Sequence, residues 1–476
     1  MFRPRSIWII ALVISCAAII GCRGGDSVGT QNQTSGNSSV VLAMTDTPPT
    51  NVSILSAEVT LTGATLNPGN VSLFSGSKTI ELTRLQTDIG YLATAANINA
   101  GSYTSLSLTF ANPLLTLEND TTTSIVSGTT TCAVGLICTI APTTVANLAT
   151  TITLSSFSIA ANSSAGLLVD VNLDNLLSAT MGADFKAGTT VSAFTPAGAG
   201  APQVGAEDVV GQVTVLNATN NTFSIQNVTG TFALTADSTS TFFQFPSTVC
   251  TTSAIACLRL NQIVSVDISI GSTGAAVARN VVFEDADNSD AEVEGMITVT
   301  NAGSQQFSIV TLALSAAGTG LNIGDVATVH YAVSPQTPFD IDFAHADNVQ
   351  VSTTGFLFAA PADLSVGQQV SIRRNSASSG NSIIADRVRL RSTRVTAAVG
   401  SVGNQILFLS NVPSLFSGHA ITQILALASA PTIFSENGSA IVFSQIPVSG
   451  VVSVRGPLFN VSGARTVLAT KVVLKP

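Results

Sequence analysis

The residues with the most evident chemical potential are basic and clustered. Six of the fourteen arginines lie within 22 residues: Arg373, Arg374, Arg387, Arg389, Arg391 and Arg394. Guanidinium groups bind carboxylates and phosphates bidentately. Because three of them alternate with Val388 and Leu390, a β-strand here would bury the apolar pair and direct these guanidinium groups to solvent. We favour pairing with an acidic segment of the same chain or protection of a sheet edge, and a docking face for an anionic envelope polymer is the functional alternative.

An acidic segment precedes that arginine cluster. Residues 284–294 contain six acids: Glu284, Asp285, Asp287, Asp290, Glu292 and Glu294. Oxygen ligands at this density suit calcium, with Asp285, Asp287 and Asp290 as candidate ligands, but the EF-hand spacing fails because Asp290 stands where that loop needs glycine. We expect a charged, solvated junction between two domains, with a calcium-stiffened junction as the alternative.

Few other groups could support catalysis. The three histidines, His330, His345 and His419, lie far apart, and no HExxH, GxSxG or metal-spaced Cys/His set occurs. We therefore predict that the chain is not an enzyme and has no cofactor other than the calcium considered above. A hydrolase or transferase acting on envelope glycans is the alternative, and it would need two carboxylates about 5 to 10 Å apart in one cleft.

The composition predicts that the chain folds into the elements that position these residues. Its 476 residues are 45% hydrophobic and only 9% charged, the reverse of the balance typical of disordered proteins. The length exceeds that of one hydrophobic core, which predicts several domains. The net charge of −9 argues against nucleic acid as a partner, because its phosphates would be repelled.

The N-terminus has the features of an export signal. Arg3 and Arg5 precede an apolar stretch over residues 7–20, which is shorter than the roughly 20 residues that span a membrane. The stretch ends in Ile-Ile-Gly-Cys and resembles the bacterial lipobox, which implies removal of residues 1–21 and lipidation of Cys22. A plain secretion signal with a chance cysteine is the alternative. Residues 22–39 are polar and predict a flexible tether.

The same resemblance implies a location. In diderm lipoproteins an aspartate after the lipidated cysteine often signals retention in the inner membrane, and Arg23 occupies that position here. Several acyl chains anchor a protein almost permanently. We therefore expect a protein anchored in the cell envelope, in the outer membrane of a diderm bacterium.

Four further cysteines follow Cys22. They form two close pairs, Cys132 with Cys138 and Cys250 with Cys257. An even number of cysteines at short spacing in an exported chain predicts two local disulfides. Neither pair has the CxxC spacing of a redox or zinc site.

A hydrophobic period of two dominates from Val40 onward. In one example, Leu55, Ala57 and Val59 alternate with Ser56 and Glu58. Such alternation is typical of half-buried strands in antiparallel sheets, so we predict an all-β protein. Residues 174–181 and 422–430 are the weak candidates for helix.

Residues 40–195 are expected to form the first domain. They contain a Thr-Asp-x-Pro motif at residues 45–48 and an Ala-Gly-x-Tyr-Thr motif at residues 100–104. This series resembles an N-terminal domain of unknown function found in bacterial envelope lipoproteins. The resemblance implies a β-sandwich, transthyretin-like or immunoglobulin-like, without a known activity. Residues 196–208 are rich in Ala, Gly and Pro and predict a linker.

A weak internal repeat follows that linker. A V-S-[VI] strand precedes an A-x-x-V strand three times, with starts at 264 and 278, 370 and 385, and 452 and 469, so that the spacing is 14, 15 and 17 residues. The repetition predicts a recurring hairpin in three modules, at residues 209–283, 295–392 and 393–476. Each module resembles small OB-like barrels of a second domain-of-unknown-function family. OB-like barrels elsewhere bind oligonucleotides or oligosaccharides.

The function predicted from these features is contact rather than catalysis. We expect a lipid-anchored, exported protein that binds or displays a ligand at the cell surface. The expected partners are the membrane, through the N-terminal lipid, and an anionic envelope polysaccharide or another envelope protein. A purely structural spacer is the remaining alternative.

Overall fold

The computed structural model confirms the all-β prediction, since strands predominate among the described residues and helices are few and short. It describes residues 37–47, 53–142, 144–178, 181–196, 204–238, 240–252, 254–270, 275–286, 291–315, 319–342, 352–429, 432–436 and 439–475. The signal sequence, Cys22 and most of the predicted tether therefore lie outside the described residues. Among the described residues, no helix is both long and apolar enough to cross a membrane.

The first domain is built mainly from long strands. Its elements are β1 Ser38–Thr47, β2 Ser53–Asn67, β3 Val71–Glu81, β4 Ile89–Ile98, β5 Gly101–Glu118, β6 Ile125–Ser127, β7 Thr130–Cys132, β8 Ile137–Ile140, β9 Val145–Ala146, β10 Ala149–Ile159, β11 Ser164–Asn172, α1 Leu173–Leu176, β12 Ala183–Asp184, α2 Phe185–Gly188 and β13 Thr189–Phe194. A 3-10 turn, Leu82–Leu85, connects β3 to β4.

Two sheets share the hydrophobic core of this domain. One contains the order β13-β11-β1-β4, and the other has the order β10-β5-β2-β3 with β8 added to β5. Alternate residues of β1, such as Leu42 and Met44, belong to the same buried cluster as Val59 and Leu61 of β2. Apolar side chains on alternating positions thus hold the two sheets together.

The rest of the chain forms three barrels of similar strand order. Barrel 1 contains β14 Val204–Asn217, β15 Thr222–Asn227, β16 Gly230–Ala236, β17 Phe242–Gln244, β18 Ile263–Ile270 and β19 Ala276–Asp285. Barrel 2 contains β20 Glu292–Asn301, β21 Gln306–Leu314, β22 Val326–His330, β23 Phe339–Ile341, β24 Gln369–Arg374 and β25 Ser382–Leu390. Barrel 3 contains β26 Ser392–Gly403, β27 Ile406–Ser410, α3 Ser414–Ser417, β28 Ile424–Leu427, β29 Ile433–Glu436, β30 Ser439–Ala440, β31 Val451–Val461, β32 Ala464–Leu468 and β33 Lys471–Leu474.

Each barrel closes as a ring of five strands. The first strand pairs with the second and the fourth, and the third pairs in parallel with the fifth: β14-β15-β16-β19-β18, β20-β21-β22-β25-β24 and β26-β27-β28-β32-β31. Five strands closed in this way match the size of an OB-type barrel. The repeated hairpin predicted from sequence is the pair of fourth and fifth strands. In barrel 3 its second strand is split into β32 and β33, where the spacing is longest.

Two expectations about local structure are wrong. Residues 204–208, assigned to the linker from composition, begin β14, and Val204 and Gly205 pair in parallel with Ile89 and Gly90 of the first domain. Residues 422–430 contain strand β28 rather than a helix, because the alternation of buried Ile424 and Ala426 has the period of a strand. Among the described residues of 174–181, the helix is limited to residues 174–176, which belong to the one-turn helix α1.

Candidate functional site

The clustered arginines lie inside the protein. Arg387 and Arg389 are on β25 and alternate with buried Val388 and Leu390 as predicted, but their side chains are only 17% and 14% exposed, and Arg391 is 0% exposed. The expectation that these guanidinium groups face solvent is therefore wrong. The outer side of β25 is covered at Arg387 and Arg389, which contact Glu284 of barrel 1, whereas Ser382, Ile384 and Asp386 earlier on the strand are exposed.

These arginines bind carboxylates of the chain itself. Arg387 contacts Glu284 at 2.5 Å and Glu292 at 2.8 Å. Arg389 contacts Glu284 at 2.9 Å, and Arg391 contacts the same carboxylate at 3.0 Å. Internal pairing with the acidic segment, one of the two interpretations favoured from sequence, is what the structure contains.

The remaining arginines of the predicted docking face are also engaged. Arg373 pairs with Asp285 at 2.5 Å. Arg374 donates to the carbonyl of Thr319 and is buried, and Arg394 is buried against the first domain. The six arginines therefore do not form one exposed basic surface.

The acidic segment is not a solvated linker at its ends. Glu284 and Asp285 close β19, Glu292 and Glu294 open β20, and all four residues are buried. Asp287 and Asp290 lie outside the described residues, so calcium binding there stays a prediction. Within the described ranges, no group of three or more His, Cys, Asp or Glu side chains is arranged to hold a metal ion.

An acid-rich cluster lies at the joint between barrels 1 and 2. We define it by the arginines and carboxylates that interact there: Arg84, Arg387, Arg389, Arg391, Asp208, Asp267, Glu284, Glu292, Glu294, Asp340 and Asp342. Its centre is Arg391, which contacts Asp208 at 3.2 Å and also Asp342. Arg84 reaches in from the first domain and contacts Glu294 at 2.7 Å.

A base-rich cluster lies beside it, between the first domain and barrel 3. We define it as Asp88, Glu207, Arg394, Arg455 and Lys471. Asp88 accepts from Arg394 at 2.7 Å and from Arg455 at 2.5 Å, and Lys471 is 3.3 Å away. Glu207 of barrel 1 is 2.6 Å from Arg455. This cluster therefore joins three of the four folded units.

The pKa of Asp88 in the base-rich cluster is lowered, whereas the acid-rich cluster contains shifts of both signs. Burial alone would raise the pKa of Glu284, but the charges of Arg389, Arg391 and Arg387 outweigh it and lower that pKa. Burial alone would raise the pKa of Asp88, but the charges of Arg455, Lys471 and Arg394 outweigh it and hold that pKa well below its usual value. In the acid-rich cluster, burial raises the pKa of Glu294, and burial together with the charge of Asp208 raises the pKa of Asp267 to about 7.

The positions of charged residues in the sequence contained a signal for these clusters that the overall composition does not show. Charged residues open the first strand of each barrel or stand just before it: Glu207 and Asp208 in barrel 1, Glu292 and Glu294 in barrel 2, and Arg391 and Arg394 in barrel 3. In a chain with 9% charged residues, charges recurring at one position of a repeat are informative. Asp88 and Arg84, from the first domain, have no comparable signal.

A cavity of about 710 Å³ lies next to the base-rich cluster. The first domain contributes Arg84 and Gln86, barrel 2 contributes Gln369, and barrel 3 contributes Arg394 and Lys475. A volume of this size is within the usual range for sites that bind small molecules. The cavity was not predicted from sequence, because its lining residues come from three units, although Arg394 was among the arginines considered for anion binding.

A smaller cavity of about 450 Å³ lies on barrel 1. It is lined by Tyr91 and Thr94 of the first domain and by residues of barrel 1, mainly from β15 and β16. Nearby, Lys78 donates to the carbonyls of Tyr91 and Leu92, and burial lowers its pKa to about 8.

Both predicted disulfides form, Cys132 with Cys138 and Cys250 with Cys257. Disulfides persist in oxidising compartments, so these two disulfides indicate a protein that folds outside the cytoplasm.

No protein-family model matches the chain, and no curated protein matches it either.

Proposed function

We propose that this chain is a lipid-anchored, non-enzymatic protein of the bacterial cell envelope, in which a β domain and three barrels act as one rigid body for binding or display at the cell surface. The observation that carries the proposal is that the two buried ionic clusters join the first domain to the barrels. Arg84 of the first domain binds Glu294 of barrel 2, and Asp88 of the first domain binds Arg455 of barrel 3.

Buried ion pairs resist separation of the units they join. Removing one partner of such a pair costs about 3 to 5 kcal/mol, because the other charge stays buried without compensation. Motion of one barrel away from its neighbours would separate several such pairs at once. A body held in this way keeps the surfaces that it displays at fixed positions relative to one another.

The internal pairing also bears on how the protein would act. Charges that could have served catalysis or docking to a polyanion instead hold the units together. We therefore assign binding or display to surfaces and cavities other than strand β25 with its arginines.

Small-angle X-ray scattering tests the rigid body. The chain from residue 23 onward should give a bell-shaped Kratky plot at about 0.05 M and about 0.5 M salt, because buried pairs are screened far less than exposed ones. A rising plateau, as flexibly linked beads produce, would contradict the proposal at either salt concentration.

Anchoring is tested separately by the cysteines of the signal region. The full chain should incorporate labelled fatty acid and fractionate with outer membranes in a diderm host, and Cys22→Ala should abolish the labelling. Cys16→Ala is the matched control, since that residue belongs to the segment expected to be removed. Equal labelling of both variants would contradict lipidation at Cys22.

A further inference from the structure

We infer that β13, the end strand of the sheet that the first domain shares with barrel 1, is a self-association edge at which a second copy of this chain adds its own β13 in antiparallel orientation. The inference goes beyond the proposed function and does not depend on it. It rests on the position of β13 in its sheet, on the exposure of the strand and on its side chains.

Strand β13, Thr189–Phe194, ends the strand order of its sheet and pairs on one side only, with β11. In such an edge strand, the N–H and C=O groups of alternate residues point away from the sheet. Among the described residues no hydrogen bond reaches these groups, and β10, which packs close by, is not hydrogen-bonded to β13. A further extended strand would satisfy them.

The outer edge of β13 is open along most of its length. Thr190, Ser192 and Ala193 are exposed, and Ala193 has only a methyl group beyond its backbone. Phe194 is the one aromatic residue of the strand, and its ring lies over Gly166 of β11, where a side chain would clash with it. The ring therefore covers the neighbouring strand and leaves the outer edge accessible.

Strand β13 also lacks the features that usually protect a sheet edge. It contains no charged residue and no proline, and it pairs with β11 over six residues without a register shift. Other edges among the described strands differ. Strands β10 and β3 have register shifts, β3 also has Lys78, and β17, β23 and β30 have only two or three residues. An extended strand would therefore add to β13 in preference to them.

The charge of the chain favours this uncharged edge as the contact between copies. With a net charge of −9, two copies repel each other where their acidic surfaces meet. Residues 187–206, which include β13, contain no Asp, Glu, Lys or Arg, so pairing here brings no like charges of this segment opposite each other. Anchoring of all copies in one membrane, as proposed above, would raise their local concentration and further favour a second copy over another chain.

The side chains of β13 suit a two-fold pairing. When two antiparallel copies are related by an axis at Ser192, Val191 lies opposite Ala193 of the other copy. Both belong to the same sheet face, because side chains an even number of residues apart share a face. This centre lies in the exposed part of the strand, since Thr189 is buried. The contact is isologous, so it satisfies both edges at once and closes with two copies.

Sedimentation velocity on the chain from residue 23 onward, over a wide range of protein concentration, tests the pairing. We expect a monomer–dimer equilibrium. Ser192→Lys or Ser192→Asp places two like charges opposite each other across the axis, so either variant should weaken dimerisation at least about tenfold. Ser72→Lys is the matched control, because Ser72 is exposed on β3, the edge of the other sheet, and it should leave the equilibrium unchanged.

A mixture of the two Ser192 variants separates loss of pairing from loss of fold. Lysine at position 192 of one copy attracts aspartate at position 192 of the other. An equimolar mixture should therefore dimerise at concentrations at which each variant alone is monomeric. A chain that the substitutions had unfolded would not recover on mixing.

Each contrary outcome overturns the inference. A wild-type chain that stays monomeric at every concentration rejects self-association. A dimer that neither Ser192 variant weakens, or that Ser72→Lys weakens as much, places the contact on another surface. A mixture that stays monomeric rejects the pairing about Ser192. None of these results changes whether each copy is rigid, so failure here is distinguishable from failure of the rigid-body proposal.

Discussion

The acid-rich and base-rich clusters both bury charged side chains where folded units meet, but their charge balance is opposite. Around Arg391, carboxylates outnumber arginines, and the pKa values of Glu294 and Asp267 are raised, although that of Glu284, which three arginines contact, is lowered. Around Asp88, cations outnumber carboxylates, and the pKa of Asp88 is lowered. Each cluster is locally unbalanced, and they lie side by side. We therefore expect the largest loss of stability in each cluster on removal of its central side chain, Arg391 or Asp88.

The clusters also differ in how the chain assembles them. In the acid-rich cluster, Glu284 and Glu292 come from adjacent strands on either side of one junction, close to each other in sequence. In the base-rich cluster, Asp88 meets Arg394 and Arg455, which follow it by more than 300 residues. Apart from Arg84 of the first domain, the acid-rich cluster can form when barrels 1 and 2 meet, whereas the base-rich cluster requires barrel 3 to dock on the first domain.

Loss of Arg391 should have the largest effect. Arg391→Met leaves Asp208, Glu284 and Asp342 buried without their shared counter-charge, so the free energy of unfolding at pH 7 should fall by about 3 to 5 kcal/mol. Arg391→Lys keeps the charge but loses the planar fork and should be intermediate. Urea unfolding of wild type, Arg391→Lys and Arg391→Met measures the order of their stabilities.

The control for that series is Arg465→Met. Arg465 is partly exposed on β32 and contacts the side chain of Asn460, so its loss should cost about 1 kcal/mol or less. If Arg391→Met and Arg465→Met unfold at the same urea concentration, Arg391 is not the centre of its cluster.

Loss of Asp88 should be nearly as large at neutral pH and should depend on acid. Asp88→Asn leaves Arg394, Arg455 and Lys471 facing Glu207, which should cost about 2 to 4 kcal/mol at pH 7. Because the folded pKa is lowered, this carboxylate stabilises the protein above about pH 4, the ordinary value, and the contribution falls as the pH decreases below it. The difference between wild type and Asp88→Asn should therefore shrink from pH 7 to pH 3, which urea unfolding at each pH measures.

Loss of the Asp267 charge should have a smaller effect of opposite sign. The folded pKa of about 7 is raised, so the protonated group stabilises the fold below about pH 4 and this contribution is lost as the pH rises through 7. Asp267→Asn should therefore match wild type near pH 4 and be more stable by about 1 to 3 kcal/mol at pH 8. Thermal unfolding across this range measures the divergence.

The two pH series together decide whether the comparison holds. Asp88→Asn and Asp267→Asn should diverge from wild type in opposite directions as the pH rises. Parallel behaviour of the two variants would mean that both clusters have the same charge balance, contrary to the geometry. Asn280 donates to Asp267 and can rotate its amide to accept from the new asparagine, so a clash does not explain such a result.

The sequence predicted part of the candidate site correctly. The alternation of Arg387 and Arg389 with Val388 and Leu390 predicted which side chains would be buried in the barrel. It did not predict what covers the opposite face, because a period of two separates the faces of a strand without saying whether the outer face meets water or another unit. Gln369 and Lys475 of the cavity gave no signal for the same reason.

By itself, the amino-acid sequence determined the all-β class, the three repeated modules and the two disulfides. These depend on side-chain period, strand repetition and cysteine spacing, all of which act over a few residues. Tertiary structure alone decided that the arginines bind carboxylates instead of solvent, that β14 joins the first domain, and that three units enclose a cavity. Contacts such as Asp88 with Arg455 join residues far apart in sequence, and only packing of the closed barrels brings their charges within reach.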